Sequence, residues 1–319
     1  MEVTLMNYKK LFLYCKNLCA SNLLVHINQA ELKEVACSIQ AGSAPNWDWY
    51  LPKELQIGQI KEVRAADVAY FLFVTTAINF CYWTKDENGF NHWCYQGNPK
   101  LKGSSGMAQM MVDFYNAGQF PGVHLNESET LSFYEKALTD LSIPYARQRA
   151  EVMATLADVG KFKTFLARSY FIHDGSYTFT TETAAELARL YGHAYGDAFL
   201  KKAQLFYGML AANFNARSWA VDTELTAYAD YRIPQVLRHM GVLEYDDALA
   251  LVVDSETLID KCGPMEKFIR AATVIACQQL AKEAGVTEAD VNAYLFLKTR
   301  DQAFMNGIAP FHLCVTIDY

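Results

Sequence analysis

The sequence is short of the features that mark whole classes of protein. None of its eight cysteines forms a C-x-x-C pair, and a chain of 319 residues is too large to need disulfide staples, so reduced thiols of a cytoplasmic protein are expected. The N-terminus, MEVTLMNYKKLFLYCKNLC, lacks the basic start, apolar centre and small-residue cleavage site of a secretory signal. The longest apolar run, VAYFLFVTTAINFCYW at 68–83, contains Thr and Asn and falls short of the roughly 20 residues of a membrane span. The seven histidines never form H-E-x-x-H, and no Cys/His pair has zinc-ligand spacing, so no metal and no cofactor is expected. GKFKTF at 160–165 lacks the preceding glycines of a phosphate loop, and G-x-S-x-G does not occur. Nor does any period of about 20–50 residues repeat, which argues against a solenoid.

What is present is the composition of a globular protein: 52% hydrophobic and 20% charged residues. No stretch resembles a linker, so residues 1–319 are read as one large domain, or two intimately packed lobes. A net charge of −7 argues against duplex nucleic acid as the partner, because phosphate binding needs clustered Lys and Arg. Helix signals recur from end to end. Asn28 with Glu31, and Asn126 with Glu129, are spaced as capping boxes. Pro144 and Pro264 suit first helical turns, Gly285 a left-handed helix end, and Thr287 with Asp290 another start. Phe268, Ile269, Ala272, Ile275, Ala276 and Leu280 recur at three- and four-residue steps as one helical stripe. Roughly ten to twelve such segments make the fold mainly α, with short strands expected at 23–27 and 313–317. The least regular stretch, 84–104, reads as a binding loop or a surface excursion.

One stretch, LTAYADYRIPQVLRHMGVL at 225–243, places Asp230 between aromatics and four residues before Pro234. Asp222 can cap a helix running to about Tyr228, and Pro234 then fits the first turn of a new helix, with Val236, Leu237 and Met240 on its inner side. Asp230 falls at the junction. Two readings stand. It forms a turn or cap, or the free N–H groups and positive helix end keep it ionised in a pocket. There it would stabilise a cation developing in a transition state.

That block, with its ADYRIPQVL core, resembles the queuosine-salvage family, the queuosine 5′-phosphate N-glycosylase/hydrolases. Further blocks match in the same order: 67–83 with its INFCYW end, 92–111, 147–162, FLKKAQLF at 199–206 and MEKFIRAATV at 265–274. Together they cover roughly residues 65–285. The resemblance implies an all-α fold similar to the helix-hairpin-helix DNA glycosylases. It also implies metal-free hydrolysis of queuosine 5′-monophosphate to queuine and ribose 5-phosphate, in salvage for tRNA modification. Carried onto this chain, it makes Asp230 the catalytic carboxylate. Lys201 and Lys202 become candidates for the 5′-phosphate, against solvated lysines of a helix face. Asn79, Phe80 and Trp83 become candidates for holding the base, against plain core packing. Tyr231 and Gln235 either bond the substrate or fix the turn. Glu266 and Arg270, four apart on one helix, read as an ion pair rather than substrate contacts. One departure from the family pattern stands near the C-terminus. Leu297 lies near the place of an expected acid, and Leu313 and Val315 stand where basic residues are usual, which leaves the accepted sugar form open.

Two rivals remain. A DNA glycosylase would share the fold and an Asp but should show a basic face. A non-catalytic module binding a modified nucleobase would keep the aromatic pocket yet tolerate loss of the Asp230 charge.

Overall fold

A computed structural model describes residues 6–21, 23–42, 47–57, 65–87, 89–169 and 176–319. Among them are fifteen α-helices and three two-stranded sheets, so the chain is mainly α, in keeping with its apolar spacing. No helix among them is long and apolar enough to cross a membrane.

Local signals place many helix ends. Asn126 with Glu129 closes the reciprocal capping box of Glu127–Asp140, and Thr287 with Asp290 that of Glu288–Lys298. Pro264 opens the Pro264–Ala284 helix, and Gly285 ends it with φ +68°, a geometry that costs glycine little. Asn28 caps Gln29–Ala36. Its own N–H, expected to bond Glu31, instead donates to the Val242 carbonyl at 3.0 Å. The cause is tertiary: Val25–Ile27 pairs antiparallel with Leu243–Tyr245 just before it.

Three expectations are corrected. Residues 222–228 are not helical. Ala220–Glu224 is a strand, paired in parallel with Ser176–Thr180, and residues 225–229 continue without helix. Backbone groups that a helix would have paired find side chains instead. The Thr226 N–H donates to Gln204 Oε1 (2.6 Å) and the Tyr228 N–H to Asn292 Oδ1 (3.1 Å). Pro144 precedes its helix rather than opening it: Ala146–Thr155 follows Tyr145, whose φ is +57°. Residues 313–317 form no strand, because Leu313 makes only an isolated bridge to Leu258.

The Ala65–Ala77 helix is apolar on every face and buried from Val68 to Ala77, as expected of a core helix. It packs against Lys201–Ala216. The carbonyls at its end and in the turn that follows need donors, and three buried basic side chains supply them. Lys202 Nζ donates to Ala77 O (2.8 Å) and Lys201 Nζ to Asn79 O (3.1 Å). Arg149 donates to Ile78, Phe80 and Cys81 carbonyls. Positive charge at a helix C-terminus also suits the macrodipole.

At the start of the Glu288–Lys298 helix the Tyr8 hydroxyl donates to Glu288 Oε1, while Oε2 is buried without a partner. Burial pushes this carboxyl up to about 7 from its ordinary 4.5, against the lowering effect of the Tyr8 bond. Between those values the unfolded chain has released a proton that the folded protein keeps. Stability is therefore full below about pH 4.5 and is lost as pH rises through about 7, by roughly 3 kcal/mol. Urea unfolding of wild type and Glu288→Gln across pH 5–8 should show this as a difference, the stability of wild type relative to the variant falling as pH rises towards about 7. A variant with the same slope as wild type would assign the decline elsewhere.

Candidate active-site cleft

A cleft of about 950 Å³ opens between the 79–105 region, the Lys201–Ala216 helix, the 228–235 segment and the C-terminal third of the chain. Asp230 lines it, and its two oxygens differ in role. Oδ1 accepts the N–H groups of Arg232 (2.7 Å) and Ile233 (3.1 Å), the free donors at the start of the Arg232–His239 helix. Oδ2 lies 4.0 Å from Lys201 Nζ. The cap and the cleft-facing carboxylate, posed as rival readings, are thus both realised by one side chain. One oxygen is spent on orientation and the other is left beside a cation.

Lys201 is 3% exposed. Burial lowers its ammonium from the ordinary value, and Asp230 opposes that. With one N–H on Asn79 O and another side toward Asp230, an ammonium with three donors keeps one for a ligand.

Behind both residues runs a buried brace. Arg270 forms a bidentate pair with Asp197 (2.9 and 2.6 Å) and a further contact with Glu266 (3.2 Å). Its Nε donates to Ala229 O at 2.8 Å, one residue before Asp230. Asp197 Oδ2 accepts the Lys201 N–H at 2.9 Å. A single ion pair therefore ties the start of the Lys201 helix to the segment that carries Asp230. The ion pair expected of Glu266 and Arg270 exists, buried, with Asp197 as its stronger member. Burial by itself would raise the Asp197 carboxyl, but the Arg270 guanidinium brings it below its ordinary range.

The candidate residues divide cleanly. Asp230, Lys201, Asn79, Tyr231 and Gln235 line the cleft; Lys202, Phe80 and Trp83 do not. Lys202 is 1% exposed, sits 4.9 Å from the Phe80 ring centre and is pushed down to about 7 by burial. Phe80 is also covered by Arg149, 4.0 Å from its ring centre. Trp83 backs the cleft wall through Phe90 and Phe311, at 5.8 and 6.2 Å between ring centres. Tyr231 stacks on Phe311 at 4.5 Å. Gln235 spends its amide on the protein, donating to Ala309 O (2.7 Å) and accepting from Arg232 (2.9 Å). Of the residues that mark the C-terminal departure, Leu313 lines the cleft, while Leu297 and Val315 are exposed.

Several cleft residues had no sequence signal. His92 and Phe90 come from the antiparallel hairpin Trp83–Asp86 and Gly89–His92, which makes part of the irregular 84–104 stretch a wall of the cleft. Arg232, two residues beyond Asp230, carries no local mark of a cleft residue. Burial, with Arg232 and Lys102 adding to it, pushes the His92 imidazole down to about 3. A neutral ring accepting at Nε2 from Arg232 (3.1 Å) carries its proton on Nδ1. In net terms the lining is basic: Lys100, Lys102, Lys201, Arg232 and Arg300 against Asp230 and Glu256, in a chain whose total charge is −7.

Residues 193–319 match the family model described as queuosine salvage protein. The chain is similar to the queuosine-salvage proteins over that stretch. A queuosine 5′-phosphate N-glycosylase/hydrolase of Sphaerobacter thermophilus is 26% identical over 312 residues, covering 92% of each chain. Its namesake in Dictyostelium discoideum is 23% identical, covering 86% of this chain and 85% of that one. The one in Nematostella vectensis is 24% identical over 69% and 67%. The stretch of this chain that matches, 193–319, includes Lys201, Asp230, Arg232 and Arg270.

Proposed function

We propose that the protein hydrolyses the N-glycosidic bond of queuosine 5′-phosphate, releasing queuine and ribose 5-phosphate for salvage into tRNA modification. The observation that carries this reading is Asp230. One oxygen is pinned by helix N–H groups and the other faces a basic, aromatic-lined cleft.

Breaking the C1′–N bond builds oxocarbenium character on the ribose. Asp230 Oδ2, placed under the anomeric carbon, offsets that charge and can take a proton from the attacking water. Preorganisation is what makes such a carboxylate effective, and here the Oδ1 cap and the Asp197–Arg270 brace provide it. Lys201 holds Oδ2 on one side and offers its remaining N–H to an anionic oxygen of the substrate. Lys202, outside the cleft, serves the Ala77 carbonyl instead. The aromatic walls stack the flat base, at roughly 1–3 kcal/mol per ring face. Basic side chains at the rim match a phosphate monoester better than a neutral nucleoside, and suit a small anion rather than a duplex.

Incubation with queuosine 5′-phosphate should release free queuine, detected by mass spectrometry. The nucleoside and the 3′-phosphate run alongside should be at least about tenfold poorer in kcat/KM, the loss of one charge-assisted contact. Tight binding of the 5′-phosphate with no release of base would favour the non-catalytic binding module.

A further inference from the structure

Arg232 lines the cleft two residues beyond Asp230 and has no part in the steps above. Its Nη1 donates to Gln235 Oε1 (2.9 Å), its Nη2 meets His92 Nε2 (3.1 Å), and it lies 4.7 Å from the Phe311 ring centre. No ion pair of the described residues includes it. Lys100, Lys102 and Arg300 are exposed at the rim, whereas Arg232 is half-buried. A half-buried guanidinium with no carboxylate in direct contact is costly to hold: burial disfavours its charge, and the Tyr231 and Asp230 side chains oppose that. His92 supplies a hydrogen bond and no charge, since its ring is neutral.

The surroundings say which part of a substrate it faces. Tyr231 and Phe311 stack at 4.5 Å, Phe90 meets Phe311 at 5.6 Å, and His92 stands edge-on to Phe90 at 4.7 Å. This wall offers a flat base an aromatic face beside Arg232; Trp47, Tyr50 and Phe296 form a second aromatic group of the lining. The Asp230–Lys201 end is where the sugar would lie.

We propose that Arg232 is a further catalytic residue, whose guanidinium takes up the negative charge on the departing base, and that His92 is the positioning residue that aims it. The inference rests on the glycosylase reading. A 7-deazapurine carries carbon where purines carry N7, so protonation there cannot assist departure. As the C1′–N bond breaks, its electron pair goes to the base and spreads onto the pyrimidine ring and its carbonyl. A two-pronged cation held in plane by Gln235 and His92 fits that edge. Water adds its oxygen to C1′, one proton passes through Asp230, and the base is protonated on the ring nitrogen it leaves with. Arg232 keeps its own protons throughout.

The test uses three substrates: queuosine 5′-phosphate, the queuosine nucleoside, and the 4-nitrophenyl glycoside of ribose 5-phosphate, whose leaving group needs little help. Arg232→Gln should lower kcat at least about a hundredfold on both queuosine forms and less than about tenfold on the nitrophenyl glycoside, with Arg232→Lys in between. His92→Phe should lower kcat on the queuosine forms about tenfold, and His92→Gln, which keeps an acceptor, should restore much of it. Equal losses on all leaving groups overturn the inference. So does a loss confined to KM for the phosphorylated substrates, which would make Arg232 a phosphate ligand. A wild-type protein inert on all three overturns the glycosylase reading itself, a result distinct from either.

Discussion

Asp230→Asn should leave the fold and its melting temperature almost unchanged while lowering kcat for queuosine 5′-phosphate at least about a hundredfold, a loss expected when one preorganised electrostatic stabiliser is removed. The substitution separates the two jobs of the side chain. Asn keeps an oxygen at the Oδ1 position, so the N–H groups of Arg232 and Ile233 keep their acceptor, and Asn and Asp are about equal as caps. What disappears is the charge at Oδ2 facing Lys201. Asp230→Ala removes both, and should add a stability loss of about 0.5–2 kcal/mol to the same catalytic loss. Full turnover in Asp230→Asn would leave the residue as a cap and nothing more.

Arg270→Met should destabilise the protein by about 3–5 kcal/mol, because it strands buried acids rather than merely deleting a contact. Arg270 is 2% exposed, and Asp197 and Glu266, its carboxylate partners, are 4% and 2% exposed. Phe199 and Tyr319 cover the guanidinium at 4.3 and 4.2 Å from their ring centres, so water cannot compensate either acid. The double variant Asp197→Leu/Arg270→Met should recover part of the loss, since replacing a buried pair with apolar side chains is often close to neutral. Denaturant unfolding measures both. A single-variant loss under about 1 kcal/mol would show that the brace is not buried as described. The same variant also frees the Ala229 carbonyl and loosens Asp197 from the Lys201 N–H, so activity should fall before the protein unfolds.

A sequence signal is legible only as far along the chain as its interaction reaches. Asn126 and Glu129, Thr287 and Asp290, Pro264 and Gly285 mark helix ends because each satisfies groups within four residues of itself. Residues 222–228 were misread for the complementary reason. Their local pattern suits a helix start, but a parallel partner some forty residues earlier and the side chains of Gln204 and Asn292 claim the backbone instead. Asp230 itself was legible, since a carboxylate before a proline-bearing helix start is a local arrangement. That its two oxygens divide between cap and cleft was not.

By itself, then, the sequence determined a mainly helical chain, several of its helix ends and one carboxylate at a helix start, all set by interactions between near neighbours. Only the tertiary structure decided that Lys201 reaches the cleft while Lys202 caps a core helix. Only it joined Asp197 to Arg270 across 73 positions and His92 to Arg232 across 140. Charge in a low-dielectric interior goes where a partner can be found, and those partners are distant in the chain.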